Sequence, residues 1–257
     1  MDLQACRKPH VTTESPSFFA HALAAAATLA GGVSLLVFGR FLWAGGFDLV
    51  DLQLGRSATL WFDAALCLAF FAQHSGMIRR GFRARLRGVV PEHYYGVFYT
   101  LASGAALLVL SACWQRSDAG VVAVDGAARW VMRGLCLAAL AGVVWALGSL
   151  SNFDAFGARA LLSHAKGAPP DPVRLTVRGP YRWVRHPFYL FGLVAIWTCP
   201  ALSLDRILFN ALFTAWIAIG ARLEERDLAA AFGDAYRAYQ RQVPMLIPWR
   251  LPARSAW

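Results

Sequence analysis

Four separated stretches hold the residues with chemical promise. Residues 179–192 read Gly-Pro-Tyr-Arg-Trp-Val-Arg-His-Pro-Phe-Tyr-Leu-Phe-Gly, which places Arg182, Arg185, His186, Pro187, Tyr189 and Gly192 in one short run. Proline suits the first position of a helix, where its missing N–H costs nothing, so the run predicts a helix that starts at Pro187 with His186 as its cap and Tyr189 within a turn. The free N–H groups and positive dipole end of such a helix favour a carboxylate or phosphate, and Arg182 and Arg185 add formal charge there. Further on, Glu224 and Glu225 could receive a cation or sugar hydroxyls. A ligand with both a carboxylate and a positive centre would suit the combination. Gln73 and His74, and Asp154 in the segment Asn152-Phe-Asp-Ala-Phe-Gly157, supply further polar groups.

These residues must be positioned by a membrane bundle. The 257 residues are 58% hydrophobic and only 16% charged, with mean hydropathy +0.45; a soluble domain carries about 25% charged residues. Apolar stretches at 18–39, 58–78, 94–114 and 130–150 approach the roughly 20 residues that a helix needs to cross a bilayer core of about 30 Å. Two shorter ones, 188–204 and 206–223, flank a corner at 200–205 and read as a helical hairpin. The chain is thus predicted to be a single all-α domain over 1–257, a polytopic transmembrane bundle of about six spans, or five if one of the last two fails to cross. The first stretch is read as an uncleaved anchor, because its apolar run is too long for a signal peptide.

Charge orients the bundle. Cytoplasmic loops collect Lys and Arg, and most of the 25 basic residues fall on one side of an even-span topology: Arg7 and Lys8, the run Arg79, Arg80, Arg83, Arg85 and Arg87, then the segments 159–185 and 222–254. Both termini are expected in the cytoplasm. His74, Asp154, the Arg185 to Tyr189 run and Glu224-Glu225 then share the cytoplasmic leaflet, as expected of a multi-pass inner-membrane protein with its site facing inward. Asp63 and Arg133 fall near the outer ends of spans and are expected to snorkel to the interface. This asymmetry explains the net charge of +10 without a nucleic-acid partner.

Other chemistries find little support. The five cysteines stand alone, without CxxC spacing, and read as small membrane-core residues. The six histidines show no ligand-type pairing, so no metal is expected. Patterns of dinucleotide-binding loops, P-loops and serine hydrolases are absent from the sequence. Repeated halves and midplane polar breaks, common in transporters, are absent too.

Arg185-His-Pro-Phe-Tyr189 with Gly192, Glu224-Glu225, and the tail with Tyr236, Tyr239, Pro244 and Pro248 resembles the membrane methyltransferases related to isoprenylcysteine carboxyl methyltransferase and phospholipid methyltransferases. Gln73-His-Ser-Gly-Met77, Phe153-Asp-Ala-Phe-Gly157 and Glu224-Glu-Arg-Asp-Leu228 are similar to the methanethiol S-methyltransferase branch, with NnrU-type membrane proteins as its relatives. The resemblance implies S-adenosyl-L-methionine as cofactor, bound by roughly residues 150–250. His186, Pro187, Tyr189 and Gly192 would then belong to its pocket, Glu224 and Glu225 would lie near its polar groups, and Tyr236 or Tyr239 would pack on adenosine. It also implies in-line transfer of a methyl group to a small thiol, methanethiol giving dimethyl sulfide. Arg185 would draw in the thiolate or grip the cofactor carboxylate, and His74, Asp154, His186 and Glu225 are candidate bases. A lipid or isoprenoid acceptor, or a non-catalytic membrane module, are the alternatives. Membrane lipid is the expected surrounding partner. Two departures from the pattern, Phe191 between Leu190 and Gly192 and alanine at Ala155, bear on the substrate pocket.

Overall fold

The computed structural model describes residues 18–117, 119–150, 154–169 and 175–253. Arg7, Lys8, Asn152 and Phe153, named above, and Cys6 and His10, counted among the cysteines and histidines, lie outside the described residues. The long helices are α1 (Phe18–Ala44), α2 (Arg56–Ile78), α4 (Glu92–Cys113), α5 (Gly126–Gly148) and α8 (Leu204–Gln242). Shorter ones are α3 (Arg80–Leu86), α6 (Ala158–Ala165) and α7 (Pro187–Trp197). Strands β1 (Gly120–Ala123) and β2 (Ala201–Ser203) pair antiparallel, with Ala123 opposite Ala201.

Four helices, α1, α4, α5 and α8, are long and apolar enough to cross a membrane. About six spans, or five, were expected, and two of the expected stretches fall outside this set of four by length and composition. Helix α2 has the length, 23 residues, and packs on α4 and α8, but Asp63, Gln73 and His74 make it less apolar. Helix α7 has only 11 residues, about 16 Å at 1.5 Å per residue. The corner at 200–205 does not simply turn into another helix: β2 pairs with β1 and ends α7 early.

Small residues set how closely α1 approaches α4. Ala20, Ala24, Ala27, Gly31 and Ser34 recur every three or four positions and are buried, the spacing of one helix face. A second core is aromatic. Phe41, Phe209 and Trp114 meet edge to face at 5.1–5.5 Å between ring centroids, and Phe71 stacks on Trp216 at 4.6 Å. Such pairs hold α1, α2, α4 and α8 together at one end of the bundle. Asp63 does not snorkel as its position suggested. It is fully buried and accepts the backbone N–H of Gln115 at 3.0 Å.

At the other end, the chain folds onto itself. Val177, Tyr236, Tyr239, Val243 and Ala253 form a small core of their own. Within the long α8 the helical path breaks at Gly233, with φ 56° and ψ −128°, a conformation essentially reserved for glycine. That break brings the following turn back toward the bundle and shapes the site.

Candidate active site

The pivot is Glu225, nine-tenths buried on α8. Arg185 grips it with two parallel bonds, Nε to Oε1 at 2.7 Å and Nη2 to Oε2 at 2.8 Å. Oε1 also faces His186 Nε2 at 2.9 Å and accepts the Tyr236 hydroxyl at 3.0 Å, while Oε2 accepts Gln240 Nε2 at 2.5 Å. Both oxygens are therefore saturated. An unbroken helix would carry Tyr236 about 16 Å past Glu225, beyond the reach of a tyrosine side chain. The Gly233 break is what closes that distance.

The same guanidinium ties down the tail. Arg185 Nη1 donates to the carbonyls of Gln240, at 3.1 Å, and Val243. The backbone N–H groups of Arg185 and His186 donate to Pro244 at 2.9 Å and Met245 at 3.1 Å. Tyr239 donates to the Tyr181 carbonyl at 2.6 Å, and Ala253 N–H to the Arg182 carbonyl at 3.0 Å. The run 181–186 and the run 236–253 thus form one clamp across the start of α7.

Pro187 opens α7 with His186 at the cap, as its sequence predicts. His186 and Tyr189 stack at 5.3 Å with rings nearly parallel. Tyr189 donates to Glu224 Oε2 at 2.7 Å, and the same oxygen lies 3.7 Å from His186 Nδ1. Glu224 differs from its neighbour in that its side chain is 44% exposed, so it keeps a face free for a ligand. Gly192 has nothing within 4 Å of the place a Cβ would occupy, which leaves room on that side of α7. Phe191 instead points at α5, where its ring fills the space left by Gly142. Burial, reinforced by the negative charge of Glu224, pushes the Tyr181 phenol up to about 12. It is a neutral hydrogen-bonding group at physiological pH.

His74 on α2 faces the hydroxyl of Tyr99 on α4, with Nε2 at 2.9 Å. Its neighbour Ser75 accepts the indole N–H of Trp216 on α8 at 2.9 Å. These two bonds tie α2 to α4 and to α8 around His74. Asp154 stands elsewhere. It accepts the backbone N–H of Ala160 at 3.2 Å and steadies the start of α6. Phe156 packs where Gly31 leaves space on α1, and Gly157, at φ 70°, lies against Gly96 on α4. Ala155 is an exposed turn residue beside Asp154.

Sequence reasoning missed Gln240, Tyr99 and the Tyr181 carbonyl. Each acts through chain reversal or a neighbouring helix, and no motif marks it. Among the described residues, no three His, Cys, Asp or Glu side chains gather as a metal site.

Comparison with known proteins finds relatives of this chain. A family model described as NnrU protein matches residues 64–249. The methanethiol S-methyltransferase of Mycobacterium tuberculosis (strain ATCC 25618 / H37Rv) is 35% identical over 181 residues, 70% of this chain and 74% of its own length. That of Pseudomonas deceptionensis is 36% identical over 196 residues, covering 72% and 71%. Nurim of Rattus norvegicus is 29% identical over 189 residues, covering 66% and 68%. No solved structure matches.

Proposed function

The chain belongs to the NnrU family, and on that premise we propose that it is an S-adenosyl-L-methionine-dependent membrane methyltransferase acting on methanethiol. The relatives that bear this name supply the substrate. The geometry of Glu224 carries the reading: a half-exposed carboxylate, held by Tyr189 and facing His186 at the positive end of α7.

The residues fit the cofactor. Glu224 is placed to receive an ammonium or ribose hydroxyls, and the first amides of α7 to receive a carboxylate. When bound, the cofactor supplies an electrophilic sulfonium methyl. The protein aligns the acceptor and excludes water. Arg185 and Glu225 serve as positioning residues, because each is consumed by the other: the pair fixes His186, whose Nε2 faces Glu225 and whose Nδ1 turns toward Glu224. His74, whose ring nitrogen faces the Tyr99 hydroxyl, is the base we favour for the thiol proton. Asp154 stabilises α6. We place this end of the bundle in the cytoplasm, where a soluble cofactor is available and the basic loops are expected to lie.

Purified protein supplied with S-adenosyl-L-methionine and methanethiol should release dimethyl sulfide into the headspace. Turnover of a lipid or isoprenoid acceptor without dimethyl sulfide would replace the substrate. Absence of cofactor binding in calorimetry would replace the activity.

A further inference from the structure

At the end of the bundle opposite Glu225, a cavity of about 410 Å³ lies where α1 ends and where α5 and α8 begin. Arg116, Arg129, Arg133 and Arg206 line it, with Asp125 and Asp205 as its acids. The charges do not balance. Asp205 gives its carboxylate to the Trp114 indole at 3.0 Å and the Ser117 N–H at 3.2 Å. Arg116 pairs with Asp48 at 2.9 Å, and Arg129 reaches Asp125 only at 4.0 Å. Among the described residues, Arg133 and Arg206 have no carboxylate in ion-pair range; they donate instead to the last carbonyls of α1, Arg133 to Trp43 and Arg206 to Phe41 and Leu42.

Those carbonyls carry only the partial negative charge of a helix end. Arg206 is 4% exposed, and its Nε has no partner. Buried charge met only by carbonyls and the faces of Trp43, Phe41 and Phe209 is costly, and the starts of α5 and α8 add positive potential to the same space. An anion would relieve all of this. Planar guanidinium forks suit phosphate oxygens in particular.

The level of the pocket identifies the source of the phosphate. Trp130, 75% exposed one turn into α5, and Trp61, 77% exposed near the start of α2, stand at this end, where tryptophans mark the boundary between headgroups and hydrocarbon. We propose that the pocket binds the phosphate of an anionic phospholipid headgroup, in the leaflet opposite the candidate active site.

The test uses the full chain in nanodiscs of phosphatidylcholine alone or of phosphatidylcholine and phosphatidylglycerol in equal parts. Phosphatidylglycerol should raise the thermal unfolding midpoint and remain attached in native mass spectrometry. Arg129→Gln and Arg133→Gln, chosen because the more buried Arg206 risks misfolding, should each reduce that retention about tenfold. Equal midpoints in the two lipids, or retention unchanged in both variants, would overturn the proposal. Inorganic phosphate that raises the midpoint in phosphatidylcholine alone, with phosphatidylglycerol adding nothing, would overturn the lipid source in favour of a free anion.

Discussion

Adjacent carboxylates in this chain have opposite tasks. Glu225 accepts hydrogen bonds from Arg185, Tyr236 and Gln240 and faces His186 Nε2, so Glu225→Ala strands a buried guanidinium and should cost about 3–5 kcal/mol. Thermal unfolding would show the loss, and limited proteolysis would show a tail released from residues 181–186. Glu224→Gln should leave the unfolding midpoint nearly unchanged but weaken cofactor binding about tenfold, read by calorimetry. Arg185→Lys should destabilise by roughly 1–3 kcal/mol, because an ammonium cannot reproduce the two-point grip on Glu225. The sequence made His186, Tyr189, Glu224 and Glu225 legible, through a proline that fixes a helix start and a run of charge in an apolar chain. It could not show that Arg185 faces inward to Glu225 rather than outward to a ligand. That depends on where Gln240 and Val243 return, and their return depends on one backbone conformation.

At the level of elements, glycines carry the argument. Gly233 holds a conformation that a Cβ strains by about 1–3 kcal/mol, so Gly233→Ala should straighten α8, undock Tyr236 and lower activity. Faster hydrogen exchange over 236–245 would register the change. At Gly157 a Cβ would come within 2.1 Å of the Gly96 carbonyl carbon. Gly157→Ala should therefore lift α6 from α4 at a cost of about 1–3 kcal/mol, seen in thermal unfolding. Long helices were readable because a membrane span is a long apolar run. Helices α3 and α6 and the β1–β2 ribbon were not, since three to eight residues carry too little periodicity. The hairpin expected at 188–223 misjudged α7 for the same reason: apolar composition continues through Thr198, but the helix gives way to the ribbon.

Across the whole molecule, α1 and α4 run one way and α2, α5 and α8 the other, with α7 between the last two, which separates a clamp-bearing end from an arginine-lined end. A reporter fused after Trp257 should be cytoplasmic, and one inserted within residues 46–55 should lie on the other side of the membrane; the reverse would invert the topology. The clamp has a consequence for biosynthesis. His186 is oriented by Glu225, and the chain around it is pinned by residues 236–253, all made after the long helices up to α5 have emerged. A nascent chain can therefore deliver most of its apolar mass to the bilayer while the clamp around His186 is still absent. Interrupted synthesis would leave an inserted bundle without its clamp, and the tail would act as the step that completes the proposed site.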